Sequence, residues 1–323
     1  MSASAAANSL LARMKLPVIG APLFIVSNPK LVVAQCASGI IGSFPALNAR
    51  PQEKLDEWLT EIKQRLADTP DAAPFAVNQI VHRSNTRLMQ DMETIVKHEV
   101  PVVITSLGAR EEVNAAVHSY GGVVLHDIIN NKFAKKAISK GADGLVAVAW
   151  GAGGHAGTQS PFALVEEIRE WFDGPLALSG AMATGRHVLA AQAAGADFAY
   201  MGSTFIATEE ANASGEYKQA IVDADADQIV YSSLFTGVKG NYLRQSIVNQ
   251  GLDPDNLPAS SSDGSTTDFG SGGSSSTKAW RDIWGCGQGI GVLKDVPTTA
   301  AKVERLATEY AAAKQSLAAR SGS

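Results

Sequence analysis

The sequence is short of cysteine, of positive charge and of long apolar runs, and each shortage removes a class of protein. Only Cys36 and Cys286 are present, far apart and without metal-ligand spacing. At most one disulfide is possible, which excludes a disulfide framework and points to reduced thiols in a cytoplasmic protein. No run approaches the roughly 18 apolar residues of a membrane span. The opening MSASAAANSLLARMKL lacks a continuous apolar secretory core and reads as a tail followed by a short helix capped near Asn8. Lys and Arg number 27 against 32 Asp and Glu, and they are scattered. The net charge of -5 therefore offers no basic face to nucleic acid or to an acidic membrane. No pair of histidines or carboxylates has the spacing of a metal site, so no metal is expected. An early GxGxxG is also missing, and GCGQGIG near the C-terminus has neither its position nor its spacing, which argues against an open dinucleotide-binding sheet.

What the sequence has is alternation. Its 323 residues, 45% hydrophobic and 18% charged, can bury a large core as one domain or as a domain with an appendage. Apolar or β-branched runs begin near Pro17, Ile40, Ala73, Pro101, Gly121, Asp143, Pro175 and Asp197. Helix-like stretches follow them, among them Pro51 to Ala67, Asn85 to His98, Glu111 to Ser119, Asn130 to Lys140, Pro161 to Phe172 and Thr184 to Ala194. Runs with so few polar residues suit a parallel sheet covered by helices, and eight such units predict a closed (β/α)8 TIM barrel. After Thr208 the alternation stops. Residues 209 to about 258 read as helical pieces, the Ser/Gly segment 259–277 as a flexible loop or linker, and Thr298 to Ala319 as a last helix returning to the barrel wall. The expected organisation is a barrel of residues 1–208 and about 286–323, with a small, mainly helical subdomain at about 209–285.

Barrel sites lie at the C-terminal strand ends. Those ends are Ala21, Pro22 and Leu23; Ser43 and Phe44; Asn78 and Gln79; Ser106; His126; His155; Ser179 and Gly180; and Gly202, Ser203 and Thr204. The most distinctive stretch is GAGGHAG, residues 151–157, where small residues crowd nothing around His155. It is either a loop presenting a reactive imidazole or a glycine-rich turn with an incidental histidine. SGAMATG and MGSTFIAT, after the seventh and eighth runs, set glycines and a Ser-Thr pair where a short helix begins, an arrangement that binds phosphate. Each alone also suits a tight barrel turn. A phosphate there implies a phosphorylated ligand lying toward strand one, where GAP (Gly20 to Pro22) leaves room for a flat flavin ring. Asn78 suits the pyrimidine edge of that ring, or caps a turn. His98, His118 and His187 fall in helical segments and suit surface or capping roles, and His82 follows the third strand. Trp150 suits either core or a pocket wall.

Several pieces together resemble the nitronate monooxygenase (2-nitropropane dioxygenase) family of FMN-dependent barrel enzymes, which includes flavin-dependent enoyl-(acyl carrier protein) reductases. They are GAPLFIVSNPKL (20–31), FAVNQ (75–79), AGGHAG (152–157), SGAMATG (179–185), GADFAYMGSTFIAT (195–208), FTGVKGNYLR (235–244) and GQGIG (287–291). The resemblance implies FMN, with Ala21, Pro22 and Leu23 against the ring and Asn78 near its pyrimidine side. Ser179, Gly180, Gly202, Ser203 and Thr204 would lie at the phosphate, and Gln288 would reach the cofactor from the C-terminal segment. His126 and Gly154 complete the implied cofactor set, and His155 is the implied catalytic residue. There are two departures. The residues before AGGH, Val148 to Gly151, carry no acid, and after the fifth run, in the region where the resemblance implies a basic residue near the flavin, this chain has His126 followed by Asp127. Asp127 beside the ring would disfavour an anionic reduced flavin unless a charge on His126 offsets it.

Three functions remain open at this level. One is oxidation of alkyl nitronates or nitroalkanes by O2 to a carbonyl compound and nitrite, with His155 as base or as partner of a nitronate oxygen. The second is an NAD(P)H-dependent FMN reductase of an enoyl thioester or quinone. The third, with least support, is a barrel that only binds a phosphorylated ligand. Oligomeric state is not legible, nor is whether segment 259–277 is a lid.

Overall fold

The computed structural model describes residues 9–258 and 282–321. The expected tail over 1–8 and the Ser/Gly segment 259–277 lie outside the described residues. The eight expected runs become strands β1 (Val18–Gly20), β2 (Gly42–Pro45), β3 (Phe75–Ile80), β4 (Val102–Ser106), β5 (Val123–Ile128), β6 (Gly144–Val148), β8 (Leu176–Ser179) and β9 (Phe198–Met201). The strand between them in sequence, β7 (Gly154–His155), belongs elsewhere. The eight pair in parallel in the order β1-β9-β8-β6-β5-β4-β3-β2, and a bridge from Ile19 to Ile41 joins the first to the last. The result is the (β/α)8 TIM barrel that the alternation predicts.

The strand sequences are apolar along their length because both faces are buried. Ile19, Ile41, Ala76, Ile104, Leu125, Val146 and Phe198 belong to a cluster on the inner faces. Val77, Val103, Val124, Leu145 and Ala199, on the alternate faces, pack in a second cluster with the surrounding helices. Helix starts follow capping chemistry. Asn28 accepts from Leu31 N with Pro29 at the first helical position, Asn130 accepts from Phe133 N, and Thr184 accepts from His187 N. The helix expected from Asn85 instead begins at Leu88. Asn85 is occupied in a turn, with its Nδ2 donating to the Ile80 carbonyl and its Oδ1 accepting from Arg87 N. The last helix, Thr299–Ser321, returns to the wall against Gly185–Ala193 and Pro29–Ala37, as expected.

The segment after β9 differs from its sequence reading. It carries helices Gly215–Asp223 and Arg244–Asn249, but between them strands β10 (Ile229–Ser232) and β11 (Gly240–Leu243) form an antiparallel hairpin. β11 then pairs with β7, so a three-stranded sheet sits beside the barrel. The hairpin escapes a periodicity reading because its strands are four residues each and its third strand is two residues long and distant in sequence. Among the described residues no helix is long and apolar enough to cross a membrane.

The N-terminal face of the barrel is fastened by Arg169. Its guanidinium donates to the carbonyls of Phe172, Gly174 and Gly195 and to Asp197 Oδ2, which also accepts from Leu176 N. One side chain thereby ties a helix to the turns that feed β8 and β9. This fastening serves stability, since the chemistry of such barrels lies at the other end. Arg169→Ala is expected to lower unfolding free energy by about 2–4 kcal/mol, because it strands a part-buried carboxylate and three carbonyls. Denaturant unfolding should show the loss while ligand affinity at the opposite face stays unchanged.

Candidate active site

A cavity of about 710 Å³ opens at the C-terminal ends of the strands. Ala21, Pro22, Leu23, Asn78, His126, Gly154, His155, Ser179, Gly202 and Ser203 all line it, so ten of the residues expected at the site converge. Gly180, Thr204 and Gln288 do not. Gly180 turns behind the wall with φ 144, where a Cβ would sit 2.7 Å from the Trp150 carbonyl oxygen. Thr204 is fully buried and its hydroxyl donates to the Met182 carbonyl, leaving only its backbone near the expected phosphate position. Gln288 lies under the GAGG turn, where its backbone N–H donates to the Gly151 carbonyl at 2.9 Å.

That turn is built by backbone packing on backbone. A Cβ on Gly153 would come within 2.8 Å of Gly287 N, and one on Gly289 within 2.6 Å of the Ala181 carbonyl oxygen. The turns after β6 and β8 and the C-terminal GQGIG segment therefore touch where no side chain fits. Gly287 N donates to Ser203 Oγ and Asn241 Nδ2 to the Ala152 carbonyl, which adds the turn after β9 and the hairpin to the same assembly. Cys286, beside these contacts, is buried, and desolvation pushes its thiol up to about 12, an inert group.

His155 emerges from this assembly. It pairs with Gly240 of β11, and its Nε2 lies 3.0 Å from Thr236 Oγ1. The Thr236 hydroxyl donates to the Val238 carbonyl at 3.0 Å and lies 3.2 Å from the Tyr242 hydroxyl. With its one proton spent on Val238, the Thr236 oxygen accepts from the imidazole. The hydrogen-bond network thus assigns the proton of neutral His155 to Nε2 and the lone pair to Nδ1. Burial pushes the imidazole down to about 4, so it is neutral near pH 7.

The opposite wall carries a second network. Asn78 Nδ2 donates to the Ile104 carbonyl at 2.9 Å and to Ser106 Oγ at 2.7 Å, and Ser106 Oγ donates to Asp127 Oδ2 at 2.6 Å. Asp127 Oδ1 is sealed from water with no hydrogen-bond partner. Desolvation pushes this carboxyl up to about 7. Strand alternation sets Leu125 and Asp127 on the inner face and His126 on the other, where its Nδ1 meets Thr105 Oγ1 at 2.5 Å. Burial holds His126 at about 4, so it carries no charge near neutral pH to offset Asp127, contrary to the role considered for it from sequence.

Other candidates take structural places. His98 binds Asp56, His118 binds Asp143, and His187 Nδ1 accepts from Ala183 N. His82 lines the cavity, with Nδ1 2.8 Å from Ser84 Oγ. Trp150 packs edge-on against Tyr231 outside the cavity lining. Ser43 spends its hydroxyl on the Gly20 carbonyl. Thr236 and Tyr242 had no role assigned from sequence, although both fall in FTGVKGNYLR, the one matching motif left without a function.

The chain is similar to known proteins in sequence and in fold. A family model described as nitronate monooxygenase matches residues 44–309. A nitronate monooxygenase of Paraburkholderia phytofirmans is 26% identical, over 74% of this chain and 76% of its own. A (3aS,4S,5R,7aS)-5-hydroxy-7a-methyl-1-oxo-octahydro-1H-indene-4-carboxyl-CoA dehydrogenase of Rhodococcus jostii is 27% identical over 72% of this chain, and the chain spans 64% of that relative's length. Among solved structures, nitroalkane oxidase from Streptomyces ansochromogenes superposes with a TM-score of 0.78 at 23% identity, covering 96% of this chain and 99% of its own. FabK from Thermotoga maritima gives 0.77 at 21% identity, covering 97% and 98%. The two structures establish the shared fold. The family match runs from β2 through the AGGH turn, the hairpin and the GQGIG segment, and by it the chain belongs to the nitronate monooxygenase family of flavin-dependent oxidoreductases.

Proposed function

We propose that the chain oxidises small alkyl nitronates and nitroalkanes with O2, giving a carbonyl compound and nitrite, with FMN as cofactor. The cavity fits that cofactor on its own terms. Ala21 and Gly202 leave one wall without bulk, Asn78 and Asp127 offer polar groups at another, and the sealed Asp127 Oδ1 is an orphaned buried atom such as a polar ligand edge accompanies. In this reading Ala21, Pro22 and Leu23 lie against the ring, Asn78 near its pyrimidine side, and Ser179, Gly202 and Ser203 at the phosphate. FMN bound there supplies an acceptor for the substrate's electrons and a route for them to oxygen.

The observation that carries the reading is His155, a neutral imidazole facing the cavity and oriented by Thr236. Its Nδ1 lone pair can take the proton from the carbon beside a nitro group, and a neutral ring does so without first losing a proton of its own. For a substrate that arrives as the nitronate, the chain's task is to hold the anion. Arg50, Lys136 and Lys239 line the cavity of a protein whose net charge is negative, and they favour such an anion there.

Anaerobic titration of the FMN-reconstituted protein tests the reading. Propyl nitronate alone should bleach the flavin absorbance, and nitrite should appear when air is admitted. Bleaching by NADH or NADPH but not by nitronate would transfer the assignment to a reductase. His155→Ala should retain FMN and lose about 10²–10⁴ in kcat/KM with a nitroalkane. Because its depressed pKa leaves His155 in the base form at every pH above about 4, wild-type kcat/KM with a nitroalkane should climb through pH 4 to a plateau. A profile of the same shape in the alanine variant would remove His155 from the proton transfer.

A further inference from the structure

We propose that Asp127 serves the bound flavin as a neutral carboxylic acid, donating a hydrogen bond on the pyrimidine side of the ring. The proposal rests on the reading that this cavity holds FMN. It concerns which kind of group answers the charge that reduction places on the ring.

The hydrogen bonds around Asp127 have a fixed direction. Asn78 spends both Nδ2 protons, on Ile104 and on Ser106, and Ser106 spends its single proton on Asp127 Oδ2. The run from Asn78 through Ser106 ends on the carboxyl at Oδ2, and no donor reaches Oδ1, which is closed off from water. A carboxylate would leave half its charge on an oxygen with neither donor nor solvent. Among the described residues no Lys, Arg or His forms an ion pair with Asp127. Arg50, His82, Lys136, His155 and Lys239 share the cavity but make no hydrogen bond to it, and Tyr200 on β9 is itself neutral, its phenol driven up first by burial and further by any charge on Asp127. An unpaired charge so placed costs more than the proton that removes it, and the acid form is the stable one below about pH 7.

A neutral acid with its carbonyl at Oδ1 and its hydroxyl at Oδ2 satisfies this arrangement. The hydroxyl oxygen accepts from Ser106 and has one proton left to give. Near Asn78, whose Oδ1 is an acceptor, the wall then presents an acceptor and a donor side by side. The pyrimidine side of a flavin offers an N–H between two carbonyls, together with a ring nitrogen that only accepts. A donor suits that edge, and it suits it better once negative charge develops, since a hydrogen bond to an anion is about twice as strong as one to a neutral acceptor. Ionised, the same side chain would repel the reduced ring. Reduction should therefore hold the proton on Asp127 more firmly, and proton uptake should accompany electron uptake at pH values above neutrality.

Asp127→Asn keeps the size and the donor but cannot ionise. Three readouts on the reconstituted protein test the proposal. An infrared carboxylic-acid C=O band should be present in the wild type at pH 6 and absent in the variant. FMN affinity of the wild type should fall by about tenfold between pH 6 and pH 9, as one hydrogen bond from the acid is replaced by repulsion between its carboxylate and the ring's acceptor atoms, and that of the variant should stay flat. The flavin midpoint potential of the wild type should show one additional proton per two electrons above pH 7, missing in the variant. Identical pH responses in the two proteins, or no acid band at pH 6, would overturn the role of Asp127 while leaving the FMN site standing. Failure of the wild type to bind FMN at any pH would overturn both.

Discussion

The site depends on the contact of bare backbone with bare backbone. The turns after β6 and β8 and the C-terminal segment approach so closely that Gly153 and Gly289 leave no space for a methyl group. Hydrogen bonds from Gln288 N to Gly151 O and from Gly287 N to Ser203 Oγ hold them in that register. This constraint explains the spacing of GAGG and GQG better than any ligand contact does. Glycines that sequence reading assigns to flavin or phosphate divide accordingly: Gly154 and Gly202 face the cavity, whereas Gly180 serves the packing behind it.

Within the cavity a single physical cause acts on three titratable groups. Desolvation lowers His126 and His155 and raises Asp127, so that each is driven toward its uncharged form. These three groups make their part of the wall polar without making it ionic. The cavity's cations, Arg50, Lys136 and Lys239, line the same space without pairing with Asp127. Such a site can receive a charged ligand without first dismantling an internal ion pair, whose attraction would compete with binding.

Much of the barrel was legible because its strands are buried on both sides. Runs such as Val102–Ser106 and Gly144–Val148 have no polar face to disguise them, and caps such as Asn130 and Thr184 mark where helices begin. The placement of His155 at the mouth was legible for a similar reason, since the end of a strand followed by glycines carries the chain to the C-terminal face of the barrel. What escaped were relations between distant segments. Nothing local in QIVYSS or GNYL announces that they pair with each other and with a two-residue strand at Gly154–His155. Strand parity shows that His126 and Asp127 face opposite ways, yet the charge state of each depends on burial that only the fold supplies.

The hydrogen bond between His155 and Thr236 spans 81 residues of chain. The barrel wall is made mostly of neighbours in sequence, β3 on β4 and β4 on β5, whose loops are cheap to close. The hairpin that orients the imidazole lies outside that wall and meets it through β7. Chemical competence is in this sense a non-local property: eight strands in place do not by themselves set the base, and the tautomer of one histidine reports the docking of a segment that forms no part of the barrel wall.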